Sequence, residues 1–218
     1  MLNHIERIKI CSEVAIKLYY DFNFEYSLKA KADETVDYSK NQKEQVPLEK
    51  GEATSTVIHN INGQPHTWTE NRKYIQFLNA NMPYILKEFG LSNQPIEVAN
   101  SWINRHSKGG RTVEHKHQFV DIVVSSYLHC PPNSGNLLIR DPLEYHRAND
   151  VVESAFSKQV KYQYPWIEVP VKTNELVIFP GWVNHKTEES NSDFDRYVMT
   201  FNLKYMHGPM MGESPGMT

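Results

Sequence analysis

Three histidines and one arginine carry the chemistry this sequence is equipped to do. His115 and His117 stand two residues apart, His185 follows well downstream, and Arg196 comes eleven positions after it. In a β-strand, side chains two apart share a face, so His115 and His117 can point into one cavity and hold adjacent positions on one metal ion. If the strands around the polar loop after His185 pair as a hairpin centred near Ser190 and Asn191, His185 and Arg196 face each other, with Cβ atoms roughly 5 Å apart. A third metal ligand then stands beside a guanidinium, an arrangement suited to a small ligand with a carboxylate at each end. A His-x-His pair alone is more often ordinary polar surface or core. The order of features is what favours a metal: His-x-His, a Gly-containing turn, the run Phe179-Pro180-Gly181-Trp182, a histidine, then an arginine.

Other residues near this set have two readings. Asp121 shares the parity of His117 in an unbroken strand, so it is either a carboxylate ligand of a two-His-one-carboxylate site or a structural residue. Four residues of strand span ~13 Å, which favours the structural reading unless the strand is bulged. Tyr127 has the same parity and either donates a hydrogen bond to a ligand carboxylate or fills the barrel. Arg196 reads as an inward bidentate carboxylate clamp, and Asn202 falls on the same face. His106, His129 and His146 are expected to lie off the site.

The elements that must position these groups are mainly β. From Ile96 onward, short strand-like runs are separated by turn signals such as Lys108-Gly109-Gly110 and Pro131 to Gly135, with no helical spacers. About eight such strands after an N-terminal helix point to a double-sheet jelly roll or cupin-like barrel, whose mouth is a usual place for a small-molecule site. The helix is expected from about Glu70, with Thr69 as N-cap, Tyr74, Leu78, Met82 and Ile85 as its core stripe, Pro83 as a kink and Gly90 as its stop. An aromatic cluster closes the first ~25 residues. The polar stretch Lys29–Glu52 reads as an excursion or loop, and the segment after Tyr205 as a frayed tail.

Composition bounds the alternatives. The chain has 218 residues, 39% of them hydrophobic, and a net charge of −3 from mixed acidic and basic residues. That suits one domain (residues 1–218), in which 1–95 supports the barrel and 96–205 forms the jelly-roll core. No basic stripe argues for nucleic acid. Two cysteines, Cys11 and Cys130, far apart, make neither a disulfide framework nor a cysteine zinc site. No apolar run approaches a membrane span or a signal peptide, so the expectation is a soluble cytoplasmic protein, with a homodimer as the assembly to test.

The stretches that carry the chemistry also resemble a known family. Ser101-Trp102-Ile103-Asn104, Glu114-His115-Lys116-His117, Tyr127, Pro131, Gly135 and Arg140-Asp141-Pro142 are similar to 2-oxoglutarate and Fe(II)-dependent oxygenases related to prolyl 4-hydroxylases, of the kind found in bacteria and bacteriophages. So are the run from Asn174 to His185 and the stretch from Arg196 to Asn202. The resemblance implies a double-stranded β-helix with helices packed outside, Fe(II) on His115, His117 and His185, and 2-oxoglutarate anchored by Arg196 with Tyr127. It also implies hydroxylation of a small-molecule or peptide substrate, coupled to decarboxylation of 2-oxoglutarate to succinate, with no catalytic side chain beyond the metal ligands. The chain departs from the wider pattern twice: His117 stands where an aspartate is usual, and Val198 where a serine often helps hold the co-substrate. Two other readings are a non-catalytic metal-binding jelly roll and a cupin-type enzyme that uses the histidines without 2-oxoglutarate. An Arg196 facing solvent would favour either of them.

Overall fold

The architecture comes from a computed structural model that describes residues 15–90, 95–142, 144, 162, 163 and 165–206. In chain order the elements are β1 (Ile16–Tyr19), α1 (Tyr26–Lys40), β2 (Glu49–Lys50), β3 (Ala53–Ser55), α2 (Arg72–Glu88), β4 (Ile96–His106), β5 (Arg111–Thr112), β6 (Ile122–His129), β7 (Leu137–Arg140), β8 (Tyr162–Gln163), β9 (Trp166–Val169), β10 (Glu175–Pro180), β11 (His185–Thr187) and β12 (Arg196–Tyr205). A six-stranded sheet, in the order β1-β10-β6-β12-β4-β3, faces a four-stranded one, β11-β7-β9-β8, and β2 pairs with β5 as a separate ribbon. All pairs are antiparallel. This is the jelly roll expected from the strand pattern.

Strand alternation divides the core in two. On the six-stranded sheet, Ile122, Val124 and Leu128 of β6 and Tyr197, Met199, Phe201 and Leu203 of β12 point outward, onto the two helices. Val123, Tyr127, Val177, Phe179 and Val198 point inward and meet Leu137 and Ile139 of the smaller sheet. The helices therefore lie outside, and the space between the sheets is left for the site.

α1 begins just before the stretch Lys29–Glu52 expected to be an excursion and takes up its first half. Its buried stripe is Leu28, Ala32, Thr35, Val36 and Ser39, at helical spacing but built partly from small and polar residues, so its apolar signal is faint. Ion pairs and hydrogen bonds fix it to the sheet: Asp33 accepts from the Tyr197 hydroxyl at 2.5 Å and Asp37 from Arg105 at 2.6 Å.

α2 buries the expected stripe, but it starts at Arg72 after two short 3-10 turns, and Thr69 makes no cap. Pro83 does not break it. Its ring and Asn79, whose carbonyl loses its donor, are both exposed, so water can take the orphaned oxygen. Gly90 ends the helix with φ of 69°, as the stop signal required. The chain after Met206, and most of the loop between Asp141 and Pro165 with Tyr145, His146 and Tyr164, lie outside the described residues.

Candidate active site

His115 and His117 do not sit on a regular strand. The unbroken strand that would give Asp121 the parity of His117 is absent: a turn in which Phe119 adopts φ of 60° intervenes, and β6 begins only at Ile122. His115 makes an isolated antiparallel bridge with His185, each backbone N–H donating to the other's carbonyl at 3.0 and 2.9 Å. His117 is held one step further on, its N–H donating to the Gly181 carbonyl at 2.9 Å. The interruption takes Asp121 away: its carboxylate accepts from the Tyr205 N–H at 2.8 Å, and it is not among the clustered groups.

The three imidazoles come together, each with one nitrogen from a set whose members lie within 4.8 Å of one another. The hydrogen bonds on the other ring nitrogens determine which atoms face inward. Nδ1 of His115 donates to the Val113 carbonyl and Nδ1 of His185 to the Val183 carbonyl, both at 2.9 Å; Nδ1 of His117 donates to the Asn202 side-chain oxygen at 2.5 Å. All three protons are thus placed on Nδ1, and all three Nε2 lone pairs are left free. The Nε2 atoms of His115 and His117 lie 3.2 Å apart with no proton to share. Such an arrangement is repulsive unless a cation stands between them, and an outer hydrogen bond on each ligating imidazole is the usual support of a metal site.

Electrostatics keep the rings neutral. Burial pushes His117 down to about 4, against the Asn202 bond and with His115 adding to the depression. Burial and the neighbouring imidazoles hold His185 well below the usual range, and burial lowers His115. The donor set therefore suits a divalent transition metal.

A cavity of about 250 Å³ adjoins the cluster. One wall is the inner face of the six-stranded sheet, laid out in cross-strand rungs: His106 opposite Arg196, Asn104 opposite Val198 and Tyr127, Trp102 opposite Thr200 and Ser125, Asn100 opposite Asn202. Tyr127 lines it, as expected from its parity. The departure to Val198 leaves an apolar wall where a hydroxyl would donate. Thr200, one rung along, also lines the cavity.

Arg196 is fully buried, which removes the objection that it faces solvent, but it is not opposite His185. β11 and β12 are not a hairpin: β11 pairs with β7 in the small sheet, while β12 pairs with β4 and β6 in the large one. The loop between them carries the chain from one sheet to the other. Arg196 instead faces His106, a residue expected to lie off the site. His106 is the last residue of β4 and buried, with Nε2 3.1 Å from the Thr112 hydroxyl and 3.2 Å from the Glu49 carboxylate. Nothing local in the sequence singles out Glu49, His106 or Thr112; only the sheet register brings them together. Trp166 lies under the Lys186 ammonium, 4.0 Å from the ring centroid.

Two expected results test this geometry. A Cβ on Gly181 would meet the Val120 carbonyl oxygen at 2.1 Å, and Gly181 is where the His117 segment is tied down. Gly181→Ala should cost about 1–3 kcal/mol of stability through overpacking and weaken metal retention, read as denaturation midpoint and bound iron. The second concerns acid. Burial depresses the His106 pKa, opposed by Glu49 and reinforced by Arg196, so below about pH 6.5 the unfolded chain takes up a proton that the folded one refuses. Stability should be flat above that pH and fall below it, by up to about 1.4 kcal/mol per pH unit from this group. Denaturant titrations at pH 7.5 and 5.5 should give a shallower acid loss in His106→Gln than in the wild type.

Known proteins share this fold. Residues 100–202 match the family described as "Putative 2OG-Fe(II) oxygenase", the segment that holds all three histidines, Tyr127 and Arg196. No curated protein matches the chain. Among solved structures, the non-heme alpha-ketoglutarate-dependent carbocyclase SnoK of nogalamycin biosynthesis superposes with a TM-score of 0.59 at 12% identity, over 88% of this chain and 79% of that one. HygX from Streptomyces hygroscopicus, solved with nickel and 2-oxoglutarate, gives 0.55 at 10% identity over 89% and 84%. A Pseudomonas putida prolyl-4-hydroxylase gives 0.53 at 12% identity over 89% and 94%. Through residues 100–202, just under half of its length, the chain is similar to the 2OG-Fe(II) oxygenase family. No helix among the described residues is long and apolar enough to cross a membrane.

Proposed function

We propose that this enzyme hydroxylates a C–H bond of a small-molecule or peptide substrate, with one oxygen atom of O2 entering the product and the other entering succinate as 2-oxoglutarate loses CO2. In this reading His115, His117 and His185 hold Fe(II), and Arg196 and Tyr127 serve the co-substrate. The observation that carries it is the set of three Nε2 lone pairs, freed by their Nδ1 hydrogen bonds and converging beside a cavity that ends near a buried arginine. Bound iron supplies dioxygen activation coupled to decarboxylation of a 2-oxo acid. The chain's own groups fix ring orientation through Val113, Val183 and Asn202 and supply positive charge through Arg196, while Leu137 and Val198 line the cavity with apolar surface that would suit the co-substrate's methylene carbons. The apolar wall also restricts water near the reacting centre.

Three neutral imidazoles leave the full double charge of the metal uncompensated by the protein, so an anionic chelating co-substrate suits this centre better than one that already carries a carboxylate ligand. Residues 1–95 and 96–205 act together as one domain in this reading, since β1 and β3 complete the sheet that holds β12. The test is anaerobic titration of the Fe(II)-loaded protein with 2-oxoglutarate. A visible charge-transfer band that saturates supports the reading, and no band with iron in place rejects it.

A further inference from the structure

Arg196 is close to the cavity but does not line it; His106, Thr112 and Glu49 do. The guanidinium spends Nη1 on the Gly135 carbonyl at 2.7 Å and Nη2 on Nδ1 of His106, while its buried Nε–H has no hydrogen-bond partner among the described residues. A guanidinium can only donate, so Nδ1 of His106 accepts and the ring proton sits on Nε2, aimed at the cavity. There it meets Glu49 Oε2 at 3.2 Å. The Thr112 hydroxyl donates to the same carboxylate at 2.9 and 3.1 Å. The Glu49 side chain is only 6% exposed.

Glu49 reaches this place from a strand of two residues, paired among the described residues with β5 alone. It lines the same cavity as His115 and His106, so a dicarboxylate reaching from the histidine cluster toward the arginine would meet it. Leu48, Leu137 and Val198 line the way. A carboxylate thus already occupies a site furnished with a polarised N–H, a hydroxyl and a cation behind them.

We propose that His106 and Thr112 receive the distal carboxylate of the co-substrate, in the place Glu49 holds in its absence, and that Glu49 withdraws when the co-substrate enters. Arg196 stands behind His106, its Nη2 on Nδ1, and supplies the positive charge of this seat. Its charge polarises the imidazole, so that a neutral ring binds an anion as a charge-assisted donor would. Glu49 is the internal competitor that keeps the buried guanidinium compensated between turnovers. This rests on the 2-oxoglutarate reading above.

The test titrates the Fe(II)-loaded protein, without oxygen, with 2-oxoglutarate and with pyruvate, a 2-oxo acid lacking the distal carboxylate. Glu49→Gln keeps the shape and the acceptor oxygen but loses the charge, and should tighten 2-oxoglutarate about tenfold, the scale of one charged hydrogen bond, with pyruvate unchanged. His106→Ala should weaken 2-oxoglutarate by about tenfold or more, again sparing pyruvate and iron content. Should Glu49→Gln not fold, Glu49→Asp, one methylene shorter, must shift affinity in the same direction. The proposal is overturned if the Glu49 variants leave 2-oxoglutarate affinity unchanged or weaken it, or if pyruvate moves in step. A wild type that binds 2-oxoglutarate beside unresponsive Glu49 variants removes this seat alone. A wild type that binds neither 2-oxo acid removes the 2-oxoglutarate reading, and this proposal with it.

Discussion

Replacing His185 with alanine should strip the protein of most of its iron. Two imidazoles would remain, and the substitution removes the buried member that faces both: its ring lies 4.2 Å from that of His115 and 5.1 Å from that of His117, centroid to centroid. Loss of an outer hydrogen bond to a ligand typically costs 10–100-fold in metal affinity, so loss of the ligand itself should exceed about 100-fold. His115→Ala and His117→Ala should behave alike. Iron content after anaerobic reconstitution and desalting reads the result, with Asp121→Ala as the contrast. Because the Asp121 carboxylate is engaged with the Tyr205 backbone, that variant should keep its iron. The reverse pattern, iron lost with Asp121 and kept without His117, would mean that the ligand set is wrong.

Arg196→Ala should have the second large effect, on two readouts at once. The guanidinium is buried and compensated by the His106–Glu49 pair, so its removal strands a buried carboxylate. Breaking a buried charge pair from one side costs about 3–5 kcal/mol, and the denaturation midpoint should fall accordingly. Apparent 2-oxoglutarate affinity should drop by about one to two orders of magnitude, corresponding to about 1.5–3 kcal/mol for a hydrogen bond to a charged group, with iron content unchanged. Arg196→Lys should recover only part of both, since an ammonium cannot reach the Gly135 carbonyl and His106 with one planar fork. Adding Glu49→Gln to Arg196→Ala should restore some of the lost stability, because the stranded charge is then gone. Iron loss in parallel with 2-oxoglutarate loss would mean that Arg196 holds the fold and not the co-substrate.

How far the sequence disclosed this site depended on the range of the forces involved. The jelly roll was legible because alternation along β4, β6, β10 and β12 is a local pattern, and the three histidines because their spacing fits one metal. α2 was legible because large apolar residues recur along it, whereas α1 was not, its buried face including Ala32, Thr35 and Ser39. The false hairpin between His185 and Arg196 came from assuming that sequential strands pair; in this topology the intervening loop changes sheets. The break at Phe119, a non-glycine residue at positive φ, has no residue-type signal and decided the fate of Asp121. Least legible was the contact between Glu49 and His106. It joins a two-residue strand to the end of another through a register that no local pattern encodes.

The order of strands in the large sheet also sets when this site can exist. β1 pairs with β10, β10 with β6, β6 with β12, and β12 with β4, so every neighbour is distant along the chain. Sheets of this kind pay their loop-closure entropy before any pairing rewards it, and they fold slowly for that reason. As the polypeptide leaves the ribosome, β1 has no partner until residue 175 has emerged, and β6 and β4 remain apart until β12 arrives between them. The His115–His185 bridge and the Arg196–His106 contact both wait for the last quarter of the chain. Nascent forms lacking β11 and β12 expose the inner face of β6 while holding only two of the three imidazoles, so the cluster of three assembles only once His185 has emerged.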